Sequence, residues 1–232
     1  GKDGPNCPMP NSRLIVSKSK KIFLISKIQK VRRLIKEKII KPNELIDTNN
    51  FQNTILKLKG KNFITDNKSC SIYFENIIRS KFKIIKKEDP IYLLKSIKNK
   101  IEIKNMINTH ILDGVALTKF IYWIKNINKK KINEVQAQNK LESFRKLNKA
   151  YLYPSFDTIA GSGANGAIVH YRAKKKNCKT IQKKDIFLCD SGGQYKYGTT
   201  DVTRTICFSK PKKNIKDIFT KVLKGHIAVA LT

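Results

Sequence analysis

At 232 residues the chain has room for one large domain or two small ones, and a hydrophobic content of 40% is enough for a packed core. Its formal charge of +32, from 49 basic and 17 acidic residues, raises nucleic acid or an anionic membrane surface as partners. That excess is mostly lysine spread over the whole length, however. It travels with isoleucine and asparagine, the bias of A- and T-rich codons, while arginine, the preferred reader of bases and phosphates, is scarce. Specific nucleic-acid binding is therefore not expected, and the longest apolar runs, such as Ile22-Phe23-Leu24-Ile25, fall far short of the ~20 residues of a membrane span.

The N-terminus, Gly1-Lys2-Asp3-Gly4-Pro5-Asn6, is polar, is no signal peptide and lacks an initiating Met, which suggests a start inside a larger protein. Residues 13–17 and 21–26 read as two short strands joined by the polar turn Lys18-Ser19-Lys20. Ser26 then caps a helix running to about Ile40, with Ile28, Val31, Leu34, Ile35 and Ile39 as its apolar stripe. A helix over 51–59 ends at Gly60, followed by a strand at 63–65, a helix over 70–79 and a strand at 82–85. This alternation predicts a small α/β unit. Asp89-Pro90 marks a break, after which a short helix leads into a long one from about Asn99 to Ile127. Its apolar period is carried by Ile103, Ile107, Ile111, Leu117, Phe120, Ile121 and Ile124. Lys129-Lys130-Lys131 links it to a helix from Asn133 to Ala150. Beyond Tyr151 glycines cluster, and strands are predicted over 156–160, 167–171, 186–190 and 202–208, with a last helix from Asn214 to the end. Five cysteines (Cys7, Cys70, Cys178, Cys189, Cys207) form no C-x-x-C pair. An odd number without metal spacing argues for a reducing, cytoplasmic setting rather than a disulfide framework.

The richest segment is Asp190-Ser191-Gly192-Gly193-Gln194-Tyr195-Lys196-Tyr197-Gly198-Thr199-Thr200-Asp201-Val202-Thr203-Arg204-Thr205. Strand alternation puts Ile186, Leu188 and Asp190 on one face, and Asp201, Thr203 and Thr205 on one face of the return strand. Two close carboxylates repel unless a cation sits between them, so the pair suits divalent ions, with Thr203 as a donor that steadies Asp201. A solvated hairpin with turn-flanking aspartates is the plainer reading, and the pattern alone favours it. His170, on the predicted strand after the Asn165-Gly166 turn, is 20 residues before Asp190, near enough for a neighbouring strand. It can steady a carbonyl or move a proton, or simply be a partly buried histidine bonded to backbone. His110 and His226 read as structural, Cys189 as core, and Arg204 as facing away from Asp201. Gly161-Ser162-Gly163 lacks the Lys-Ser/Thr of a phosphate loop.

Four strings resemble aminopeptidase P, the Xaa-Pro aminopeptidase branch of the pita-bread metallopeptidases. They are Pro154-Ser155-Phe156-Asp157-Thr158-Ile159, Asn165 through Tyr171, Asp190 through Thr205, and Val222-Leu223-Lys224-Gly225-His226-Ile227-Ala228. The resemblance implies a fold of α/β and α+β type: residues 1–95 as the C-terminal part of a creatinase-like domain, and 96–232 as the first half of a pita-bread catalytic domain. It implies that Asp190 and Asp201 are the first two ligands of a centre of two divalent metal ions, typically Mn2+. It makes His170 a catalytic substrate contact, and the reaction a metal-dependent release of the first residue from Xaa-Pro peptides. A prolidase or creatinase-like hydrolase of the same fold, or a non-catalytic basic binding protein, are the alternatives. A homodimer stays open for the full-length enzyme. In that family one histidine and two glutamates complete the site downstream of position 232. The chain is therefore expected to be a fragment, inactive alone, with apolar sheet and helix surface left uncovered.

Overall fold

The computed structural model describes residues 3, 4, 6, 9–126 and 131–232. Expectations that fall on Cys7, Ile127, Lys129 and Lys130, and on the first two residues and Pro5, lie outside the described residues. The chain forms two compact units, Gly1–Lys98 and Asn99–Thr232.

In the first unit, β1 (Ser12–Val16) and β2 (Ile22–Ser26) form an antiparallel hairpin, and β3 (Leu45–Ile46) pairs parallel with β2. The turn works because Lys20 takes a left-handed conformation, φ 62°. Ser26 does not cap the helix: it is buried at the end of β2, where its hydroxyl donates to the Asn11 carbonyl at 3.0 Å. Helix α1 (Ile28–Lys36) starts after Lys27 and stops short of Ile40 because Lys38 turns left-handed, φ 57°, and closes the last turn onto Ile35. After α2 (Phe51–Lys57), β4 (Asn62–Thr65), α3 (Ile72–Arg79) and β5 (Lys83–Lys86) make a parallel strand–helix–strand unit. Ile15, Ile25, Phe51, Ile55, Ile78 and Phe82 form its core. Helix α4 (Pro90–Ser96) is capped by Asp89, whose carboxylate accepts from the Ile91 amide at 2.9 Å.

The second unit is built on two helices, α5 (Lys100–Asn126) and α6 (Glu134–Lys146). The expected α5 stripe holds only in its second half. Leu117, Phe120 and Ile124 are buried, whereas Ile103, Ile107 and Ile111 are exposed. The buried side begins instead at Thr109 and Asp113, continuing the 113–117–120–124 spacing of one helix face. Helix α6 opens on a capping box, with Asn133 Oδ1 accepting from the Gln136 amide and Gln136 Oε1 from the Asn133 amide.

Two three-stranded sheets follow. In one, β8 (Ile186–Ser191) is flanked antiparallel by β7 (Ile159–Ser162) and β11 (Val202–Cys207). In the other, β9 (Gly193–Tyr195) lies between β6 (Tyr151–Pro154) and β10 (Gly198–Thr199). Phe187 and Cys189 of β8 pack with Phe120, Leu141, Ala160 and Ile206 in one core. Burying such side chains contributes roughly 1.5–3 kcal/mol each. The strand expected over 167–171 does not form. A 3-10 turn, Gly163–Ala167, occupies that place and runs into a bend. Helix α7 (Lys213–Ala230) closes the chain with no buried residue.

Candidate metal centre

Asp190 is on the central strand β8, whose burial alternates. Phe187, Cys189 and Ser191 are buried against the helices, while Ile186, Leu188 and Asp190 are half-buried on the other face. Across the ladder Thr203 is opposite Asp190, and Val202 opposite Ser191. Asp201 directly precedes β11 and is two residues from Thr203, so alternation sets it on the Asp190 side. Diagonal neighbours on one sheet face lie roughly 7–8 Å apart, within reach of a shared pair of ions. Arg204 is opposite Cys189, on the other face from Asp201, and is exposed.

The two carboxylates differ in surroundings. Asp201 is exposed. Asp190 Oδ1 is buried and accepts no hydrogen bond among the described residues. A buried carboxylate oxygen without a donor is costly and calls for a partner such as a cation. Hard carboxylate oxygens are the donors that divalent manganese, magnesium or calcium prefer, so the residues fit such an ion as part of a donor set. They are only part of one: among the described residues no group of three or more His, Cys, Asp or Glu side chains converges on a metal position.

His170 is not on a strand. It is exposed in the bend after the 3-10 turn, with left-handed backbone, φ 55°. Such a conformation costs an L-residue roughly 1–2 kcal/mol and persists only where neighbours enforce it. Here the neighbours are anchored on Glu134, a fully buried residue at the start of α6. One Glu134 oxygen accepts from the Ser162 amide (2.8 Å) and Asn165 Nδ2 (3.0 Å), and the other from the Tyr171 hydroxyl (2.7 Å) and the Lys179 amide (2.8 Å). Asn165 and Tyr171 bracket His170. Burial and the nearby Glu134 push the Tyr171 phenol up to about 12. His110 and His226 are exposed, and His110 bonds the Met106 carbonyl one turn back on its own helix.

A second buried polar cluster went unread in the sequence. Arg145 of α6 donates through Nε to Asp113 Oδ1 (2.7 Å) and through Nη2 to Asp113 Oδ2 (3.1 Å). The same Nη2 reaches Ser191 Oγ at 3.1 Å, and the Tyr195 hydroxyl donates to Asp113 Oδ1 at 2.8 Å. Burial alone would raise the Asp113 carboxyl. The hydrogen bonds and charge of Arg145, joined by Tyr195 and Thr200, outweigh it and hold Asp113 below its ordinary value. A signal for this pair was present. Asp113 falls on the Leu117–Phe120–Ile124 stripe and Arg145 on the Ala137–Leu141 stripe, and a charge on an apolar stripe requires a buried counter-charge.

Residues 104–231 match the model of metallopeptidase family M24, and residues 1–102 that of the creatinase/prolidase N-terminal domain. The Xaa-Pro aminopeptidase ApepP of Drosophila melanogaster is 44% identical over 164 residues, 70% of this chain and 27% of that protein. A probable Xaa-Pro aminopeptidase P of Paracoccidioides brasiliensis is 47% identical over 150 residues, 63% of this chain and 24% of that protein. The chain thus spans about a quarter of the length of these curated relatives. The crystal structure of X-prolyl aminopeptidase from Caenorhabditis elegans, described as a cytosolic enzyme with a di-nuclear active site, superposes with a TM-score of 0.78. That match covers 92% of this chain and 36% of the other at 24% identity, and shows the shared fold. The creatinase-like α/β unit and the strand-and-helix unit of the pita-bread class are therefore the fold of this chain. With a family model matching more than half its length, the chain belongs to metallopeptidase family M24.

Proposed function

We propose that this chain contributes to a metal-dependent Xaa-Pro aminopeptidase, which releases the first residue of peptides with proline second. In this reading Asp190 and Asp201 are carboxylate ligands of a centre of two divalent ions, with manganese the expected metal, and His170 contacts substrate. The observation that supports it is the β8–β11 register, which sets Thr203 opposite Asp190 two residues from Asp201, together with the unpartnered, buried Oδ1 of Asp190. Two ions held there would polarise the carbonyl of the first residue and lower the pKa of water. Asp190 provides a rigid attachment because its strand is paired on both sides. Asp201 is exposed where substrate and solvent can reach it. The imidazole of His170, held in its bend through Asn165 and Tyr171, would hydrogen-bond the carbonyl oxygen as negative charge develops there. No helix among the described residues is long and apolar enough to cross a membrane. Cys70, Cys178, Cys189 and Cys207 are free thiols, which supports a cytoplasmic location.

The test is release of arginine from Arg-Pro-Pro with added Mn2+. It is measured on the 232-residue chain and on a chimera in which residues 99–232 replace the matching segment of the Drosophila relative. Turnover by the chimera, its loss in Asp201→Ala, and negligible turnover by the chain alone are expected. Retained turnover in Asp201→Ala overturns the ligand assignment. A prolidase is the second reading. The Gln194-Tyr195-x-x-Gly198-Thr199-Thr200-Asp201 string and the names of the relatives favour the aminopeptidase. A chimera that cleaves Gly-Pro but not Arg-Pro-Pro would reverse that choice.

A further inference from the structure

The Asp113–Arg145 pair is 2–4% exposed at its side chains. A buried ion pair is weak evidence for stability, because desolvation offsets the attraction between the charges. Its further contacts show a different use. Arg145 Nη2 reaches Ser191 Oγ, and Ser191 directly follows Asp190. Thr200 directly precedes Asp201 and is tied into the turn that Ser191 opens. Thr200 also receives the Gly193 amide on its hydroxyl at 2.9 Å and donates its own amide to the Gly193 carbonyl at 2.9 Å. The Ser155 hydroxyl holds the Thr200 carbonyl at 2.9 Å. Tyr195, between the two ends, donates to Asp113. Ser191 and Thr200 are 0% and 1% exposed. One planar, bidentate pair therefore holds the side chains of Ser191 and Tyr195 in the hairpin between the aspartates, and Gly193 ties Thr200, beside Asp201, to the same turn.

We propose that the buried Asp113–Arg145 pair is a positioning device that sets the spacing of the Asp190 and Asp201 carboxylates, and through it the affinity of this hairpin for a divalent cation. This rests on the reading of those aspartates as metal ligands. Asp113 and Arg145 are positioning residues that act through Ser191 and Tyr195, with Thr200 joined to them by way of Gly193. The guanidinium fork matters because its two parallel bonds fix orientation, which a lysine point charge does not.

The experiment is a titration of the 232-residue chain with Mn2+, reading free ion by electron paramagnetic resonance, and with Tb3+, reading tyrosine-sensitised luminescence. The variants are Arg145→Lys, Tyr195→Phe and, as a matched control, Glu134→Gln, which perturbs an equally buried carboxylate that anchors a different loop. Circular dichroism and melting temperature are recorded for each. Arg145→Lys is expected to weaken cation binding about 10-fold or more. Tyr195→Phe should weaken it in the same direction. Glu134→Gln should lower the melting temperature while leaving the dissociation constant within about twofold of the parent. Should Arg145→Lys fail to fold, Tyr195→Phe carries the same comparison. Variants that melt earlier yet bind as the parent does overturn the positioning role and leave the metal-ligand reading standing. A parent chain that binds no better than the Asp190→Asn/Asp201→Asn double variant overturns both.

Discussion

Gly192 has no room for a side chain. A Cβ there would lie 2.0 Å from the Thr200 carbonyl oxygen and 2.2 Å from Ser155 Oγ. Gly192→Ala is expected to cost about 3 kcal/mol, read from chemical denaturation. It forces apart the backbone between the two aspartates, so cation binding should weaken with it. His170 presents the opposite case. Its left-handed backbone is strained for a histidine, and glycine adopts that conformation freely. His170→Gly should therefore leave stability unchanged or raise it by up to about 1 kcal/mol, while abolishing turnover in the chimera, a divergence expected of strain kept for function. Cys189 gives a pH dependence. Burial pushes its thiol up to about 12, with the Arg145 charge opposing the rise. Because the folded value lies above the unfolded one, its contribution is complete below the ordinary thiol range and is lost as pH climbs towards 12. Melting temperatures measured from pH 8 to 11 should fall, and less steeply in Cys189→Ala. Asp113 works with the reverse sign: its depressed carboxyl stabilises the fold above the ordinary carboxylate range and loses that effect as pH drops through its lowered value. Removing Arg145 outright would leave Asp113 as an unpaired buried charge, a cost of about 3–5 kcal/mol.

At the scale of elements, α6 depends on its start. Asn133 and Gln136 satisfy each other's amides, and Asn133→Ala should destabilise the second unit by about 1 kcal/mol, measurable by thermal melting. The same turn of α6 carries Glu134, so a frayed N-terminus would also release the loop around His170. Elements with strong local signals were legible in the sequence. The β1–β2 hairpin, β4, β8, β11 and the paired helices α5 and α6 follow from periodicity, caps and turn residues. Short strands without such a signal were not. β6, β9 and β10 are two to four residues long and exist because they pair with one another. The segment after Asn165-Gly166 reads as a strand by its Ile168-Val169 content, but both side chains are exposed there and no partner strand stands beside them among the described residues. Glu134 draws Asn165 and Tyr171 inwards instead, and tertiary hydrogen bonds override β propensity.

Across the whole molecule, each unit has its own core, and α7 is the outlier. None of its residues is buried, and Ile218, Phe219, Val222, Leu223, Ile227 and Val229 are exposed along it. Helices in proteins draw most of their stability from packing one face against the fold, and α7 buries none of its residues. In the 232-residue chain the amides of 213–230 should therefore exchange with solvent far faster than those of β8, and an apolar dye should bind. Protected α7 amides would contradict this. The sequence by itself determined the family and most long elements, because helix and strand periods and turn chemistry act over a few residues. Only the tertiary structure decided that Asp113 and Arg145 brace the hairpin, that Glu134 holds the bend of His170, and that Asp190 keeps an unpartnered oxygen. The first two join residues 31 to 82 positions apart in the chain, and no local pattern encodes which buried charge meets which donor once the helices and sheet have packed.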